Sequence, residues 1–124
     1  MAKKPSGNST GAEQLVRDLK NKALARCYII YGEEDYLCRH YLSQLRLQLL
    51  DELTEGFNHH RLNAENFSLE LLSESIEALP MMSERTLVEV DEVDLFSVDA
   101  QDSLIAMLQD IPDYCCLVLT YTQF

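Results

Sequence analysis

The stretch Tyr114-Cys115-Cys116-Leu117-Val118-Leu119-Thr120-Tyr121 decides the fold class. It is an almost unbroken apolar run, set off upstream by the turn residues Asp110-Ile111-Pro112-Asp113. A strand with one wet face alternates apolar and polar residues, whereas a strand covered on both faces reads as continuously apolar. Coverage on both faces is the habit of a parallel sheet with helices on either side.

Working backwards from this strand, apolar spacing alternates between helix and strand. Residues 98–109 read as a helix with Leu104 and Leu108 inward, and Thr86-Leu87-Val88-Glu89-Val90 reads as a strand. Ser68 is a helix N-cap candidate. After it, Leu69, Leu72, Ile76 and Leu79 share one helical face, and Pro80 ends the helix. Gly56 breaks the chain, and Phe57–Asn63 reads as a short strand. Residues 33–50 carry Leu37, Tyr41, Leu42, Leu45 and Leu49 at amphipathic-helix spacing. Cys27-Tyr28-Ile29-Ile30-Tyr31, β-branched and aromatic, is a strand stopped by Gly32. A first helix is predicted over about 13–25, with Leu15, Leu19 and Ala23 spaced by four. Residues 1–12, MAKKPSGNSTGA, read as a disordered arm ahead of one domain at 13–124. The predicted order is α, then β-α-β-α-β-α-β, an α/β fold with a mostly parallel sheet. The chain stops just after a strand, so a fragment of a longer chain is expected.

The 124 residues are 47% apolar and 25% charged, as expected of one globular domain. No apolar run approaches the roughly 18 residues of a membrane span. No secretory signal precedes the fold, so the expected compartment is the cytoplasm. The four cysteines, Cys27, Cys38, Cys115 and Cys116, contain no CxxC and read as reduced. Net charge is −11 and unevenly placed. Residues 1–22 hold five bases against two acids, net +3. The remainder holds five arginines against 19 acids, net −14, with no lysine after Lys22. Proteins that grip the phosphate backbone do so with lysine and arginine. This body is unsuited to that.

Ligands of open α/β sheets usually sit beyond the carboxyl ends of the strands. There the sequence reads Tyr31-Gly32-Glu33-Glu34-Asp35 after one strand and Val90-Asp91-Glu92 after another. A phosphate loop needs several glycines and a lysine. One glycine, three acids and no lysine disfavour a nucleotide, and the acids suit a helix N-terminus. Asp91 and Glu92 match the acidic strand end of P-loop ATPases. Glu33, Glu34 and Asp91 match a phospho-receiver, although no late lysine is present. His40, His59 and His60 lack convergent spacing for a metal. No catalytic, cofactor or metal residue is assigned. Leu79-Pro80-Met81-Met82-Ser83-Glu84-Arg85 is the remaining feature. Its methionine pair is either a plug at the core edge or an apolar tip for a partner, a role to which flexible, polarizable methionine is suited.

Three ordered stretches carry a resemblance. They are Cys27–Leu37, Phe57–Glu65 and Leu79–Val90, the last with its Pro, bulky pair, Ser-Glu-Arg and apolar strand. Together with the late helix and strand they resemble the bacterial DNA polymerase III delta subunit over about residues 14–124. The resemblance implies the clamp loader's N-terminal domain, a three-layer P-loop-NTPase-like (AAA+-like) fold without a functional Walker A. It implies DNA replication without intrinsic catalysis, as a subunit of the polymerase holoenzyme. It places Met81 and Met82 in the pocket of the sliding clamp (beta), favouring an open ring. Other loader subunits would be met through domains absent here, and DNA only indirectly.

Overall fold

In the computed structural model, residues 11–21, 24–31, 35–95 and 100–121 are described. The elements are α1 (Gly11–Asn21), β1 (Cys27–Tyr31), α2 (Asp35–Leu49), α3 (Glu55–Asn58), β2 (His59–Asn63), α4 (Leu69–Glu77), β3 (Thr86–Asp91), α5 (Gln101–Gln109) and β4 (Cys115–Tyr121). The four strands form one sheet in the order β1-β4-β3-β2, and every pairing is parallel. β4 is central: Cys27 pairs with Leu117 on one side, and Thr86 pairs with Cys115 on the other.

Successive side chains of a strand point to opposite faces, so β4 feeds two cores. Cys115, Leu117 and Leu119 join Leu62, Leu72, Ile76, Val88, Val90 and Leu104 on the α4 and α5 side. Cys116 and Val118 join Leu15, Tyr28, Ile30, Leu42, Leu45 and Leu87 on the α1 and α2 side. The result is the three-layer α/β architecture expected, with helices on both faces. Free Cys27, Cys115 and Cys116 are part of this packing. Burial pushes the thiols of Cys27 and Cys115 up to about 11 and that of Cys116 up to about 12. These are inert thiols at neutral pH.

Local hydrogen bonds explain where elements start and stop. The Ser68 hydroxyl accepts from the Leu71 N–H at 3.0 Å, the N-cap read from sequence. Tyr28 donates its hydroxyl to Asp18 at 2.6 Å and accepts from the Ala25 N–H at 2.7 Å, fastening β1 to α1.

Four expectations are corrected. α1 begins at Gly11, inside the expected arm, while residues 1–10 lie outside the described residues. Leu24 and Ala25 are not helical, because their carbonyls accept from Arg85 instead. Phe57 and Asn58 belong to the short helix α3, which contains Gly56, and β2 starts only at His59. α4 ends at Glu77, three residues before Pro80; Tyr114 donates to the Glu77 carbonyl at 2.7 Å, and Ala78 is already extended. That early stop turns Leu79, expected inward, out to 76% exposure.

Among the described residues, one charge lies wholly inside. Glu89 of β3 is 0% exposed and faces the α2 layer. Its carboxylate takes two hydrogen bonds from Arg46, at 2.6 and 2.9 Å, and one contact from His59. Burial alone would raise the Glu89 pKa, but the His59 and Arg46 hydrogen bonds and the Arg46 charge outweigh it and hold it at about 2. Removing one partner of a buried pair strands the other charge and costs on the order of 3–5 kcal/mol. Glu89→Ala is therefore expected to lose stability of that order in urea titrations at pH 7. The folded carboxyl binds protons less readily than the unfolded one, whose pKa is 4.5. Its contribution is complete above that value and disappears as pH falls toward 2. The gap between wild type and Glu89→Gln should narrow when the titration is repeated at pH 3; a constant gap would contradict this assignment.

Candidate functional site

At the carboxyl ends of the strands, Asp91 and the Glu92 main chain are engaged with the sheet. The Thr120 hydroxyl donates to Asp91 at 2.6 Å, and Arg61 lies 3.7 Å from the other Asp91 oxygen. The Glu92 N–H donates to the Thr120 carbonyl at 2.9 Å. Gly32, Glu33 and Glu34 lie outside the described residues. Among the described residues, no group of three or more His, Cys, Asp or Glu side chains could hold a metal ion. The histidines do not converge. His40 is exposed on α2, His59 faces Glu89, and the half-buried His60 has its pKa lowered by burial and by His59.

The opposite end of the sheet, where β2 and β3 begin, is built differently. Pro80 leads into a turn at residues 81–84 that feeds β3. Met81 is 45% exposed and Met82 is 88% exposed. Met82 has φ 53°, the left-handed region. A residue with a Cβ costs about 1–2 kcal/mol there. Exposed apolar side chains from neighbouring segments lie on the same end of the chain path: Phe57 on α3, and Leu79 just before the turn.

Two residues fasten the turn. Asn58, fully buried at the end of α3, accepts the Met81 N–H at 2.6 Å and donates to the Met81 carbonyl at 2.8 Å. The same amide nitrogen also reaches the Thr54 hydroxyl at 3.3 Å. On the β3 side, Arg85 donates to the carbonyls of Leu24, Ala25 and Cys115 at 2.9–3.0 Å, joining the starts of β1, β3 and β4. A shallow cleft of about 260 Å³ runs beside the turn, between Leu49 of α2 and Ser83 to Arg85. The Arg85 guanidinium on its wall is engaged by those carbonyls.

Sequence reading singles out Met81 and Met82 and misses Asn58. Asn58 was hidden by the strand assigned to Phe57–Asn63; an asparagine just before a strand, flanked by an exposed phenylalanine, carries no pattern of its own. The Ser-Glu-Arg segment did mark Arg85, but only as part of a resemblance.

A family model described as DNA polymerase III, delta subunit, matches residues 28–123. The chain belongs to that family. The DNA polymerase III subunit delta of Bacillus subtilis (strain 168) is 32% identical over 74 residues, 60% of this chain and 21% of that protein. A solved structure of the Bacillus subtilis DNA clamp loader delta protein matches with a TM-score of 0.76 and 24% identity, over 90% of this chain and 35% of that one. The chain thus spans well under half the length of either. The structural match bears out the α/β fold. No described helix is long and apolar enough to cross a membrane.

The two readings of the methionine pair differ in what they predict for stability. A side chain that plugs the core stabilises the fold, whereas an exposed one in a left-handed backbone does not. Met82→Gly relieves the left-handed cost of about 1–2 kcal/mol and loses about 0.5–1 kcal/mol to glycine's freedom. The expected outcome in urea titration is a change from zero to a gain of about 1.5 kcal/mol. A clear loss of stability would make Met82 a packing residue.

Proposed function

We propose that this domain is the clamp-binding wedge of a delta subunit, and that Met81 and Met82 enter an apolar pocket on the sliding clamp. The observation that carries this reading is the turn itself. An 88% exposed methionine is held outward at φ 53°, beside a half-exposed one whose main chain is fastened to a buried asparagine. Backbone strain of this kind persists where the surrounding structure enforces it, and it clusters at functional sites. The position of the pair after α4 and before the Ser-Glu-Arg segment agrees with the family resemblance.

The work is binding rather than catalysis. A wedge shifts the ring's equilibrium only if it binds the open or strained clamp better than the closed one. ATP would act through other loader subunits, contacted by parts of the protein beyond this chain, by exposing or hiding the turn. The −14 body suits a module that leaves the phosphate backbone to others. The setting of this work is the bacterial cytoplasm.

Burying a methionine fully is worth roughly 1.5–3 kcal/mol. Met82 has almost all of its surface left to bury, and Met81 about half. Calorimetric titration of the chain against the sliding clamp of the same organism is expected to show a larger loss for Met82→Ala than for Met81→Ala. Met82→Ala alone should weaken binding by about tenfold, at 1.4 kcal/mol per decade. Equal affinity of the double alanine variant and wild type would overturn the assignment of these residues. Absence of binding by wild type would overturn this domain's sufficiency as the wedge.

A further inference from the structure

Asn58 lies 23 residues from Met81 in sequence, and its side chain is the one inter-element hydrogen-bonding group on the turn's tip among the described contacts. We propose that Asn58 is the positioning residue of the clamp-binding turn: its buried amide holds Met81 by both main-chain polar groups and so keeps Met82 in its outward, left-handed setting. This rests on the clamp-binding reading above, which concerns the two methionine side chains and does not involve α3.

The chemistry of the contact is selective. Met81 presents an N–H donor and a carbonyl acceptor, so the side chain that meets both must accept at one atom and donate at another. A carboxamide does this at every pH near neutrality, with its acceptor and donor fixed in one plane. The acceptor side measures 2.6 Å, at the short edge of N–H···O hydrogen bonds, and the donor side 2.8 Å, within their usual range. The second amide hydrogen is turned to Thr54 Oγ1 at 3.3 Å, and Asn58 is 0% exposed, so the amide is held in one orientation within α3. The contact is to main chain. It therefore fixes the turn whatever side chain stands at Met81, and it acts on Met82 through the adjoining peptide. Without it, the tip loses its side-chain anchor on the α3 side, and Met82 is freer to relax from φ 53° to the more favourable right-handed region.

The expected size follows from population shift. If only a fraction of molecules holds the competent turn, apparent affinity falls by that fraction. Relaxation that leaves about one molecule in ten competent weakens clamp binding about tenfold. Asn58→Asp is the sharpest variant, since it keeps the shape and the acceptor but replaces the donor with an oxygen facing the Met81 carbonyl. Asn58→Ala removes both.

The test is a double-variant cycle with two readouts. Clamp affinity is measured by calorimetry for Asn58→Asp, Met82→Ala and both together. The order of the Met82 methyl group is measured by NMR relaxation on methyl-labelled protein without clamp. The expected result is about a tenfold loss for Asn58→Asp alone and little further loss in the Met82→Ala background, because the asparagine acts through that side chain. Met82 methyl order should fall in Asn58→Asp and stay at the wild-type value in Met81→Ala, which leaves the main-chain contact intact. Equal losses in both backgrounds, or an unchanged Met82 methyl in a folded Asn58→Asp protein, would overturn the proposal. Should Asn58→Ala unfold, Asn58→Asp carries the test, with circular dichroism as the fold control. Failure of wild type to bind the clamp would remove the clamp reading, while the methyl measurement would still decide whether Asn58 positions the turn.

Discussion

β4 has both edges and both faces occupied, and the rest of the molecule is arranged around that condition. Its backbone pairs with β1 and β3 along its length. Its side chains alternate between two cores, Cys115, Leu117 and Leu119 in one and Cys116 and Val118 in the other. Apolar groups on both faces have to be removed from water, so helices must lie on both sides. Parallel strands then bring all their starting ends to one rim. At that rim Arg85 collects the carbonyls of Leu24, Ala25 and Cys115, polar groups that the sheet ladder leaves unpaired where the strands begin.

The same geometry explains why the candidate site lies where it does. The carboxyl ends of the strands, the usual ligand side of an α/β sheet, carry Asp91 held by Thr120 and no lysine anywhere after Lys22. The starting rim carries a turn with two exposed methionines, next in sequence to the exposed Leu79. At its C-terminal end α3, a helix of four residues, carries Asn58, whose amide bonds the Met81 main chain. Stability is drawn from elsewhere, from the two cores and from a buried Glu89 fully paired with Arg46 and His59. A strained, exposed turn on a rigid base is suited to a contact in which the shape must exist before the partner arrives, since a preorganised loop loses less on binding.

The fold was largely legible because hydrophobic periodicity is a local signal that burial then confirms. The strand at Tyr114–Tyr121, the split of Cys115 from Cys116, the Ser68 cap and the inward Leu42, Leu45, Leu72 and Ile76 all follow from spacing alone. The methionine pair was legible as a feature, because two flexible apolar residues after a helix-ending proline are out of place in a loop. Whether it was plug or tip was not, because exposure is a property of what stands nearby. Leu79 shows the limit: helical spacing assigned it to the core, yet the Glu77 carbonyl is taken by Tyr114 from 37 residues away, and the helix stops before Leu79 can turn inward.

By itself, then, the sequence determined the α/β class, a last strand covered on both faces, the absence of the residues a phosphate loop requires, and the segment worth testing. Each of these depends on residue type and short spacing. Tertiary structure alone decided that Phe57 and Asn58 form a helix, that Arg46 and His59 share Glu89, that Arg85 ties three strand starts together, and that Met82 stands outward at φ 53°. The reason is common to all four. A buried polar group takes whichever partner the fold brings within hydrogen-bond reach, and that partner is distant in the chain and leaves no periodic trace in it.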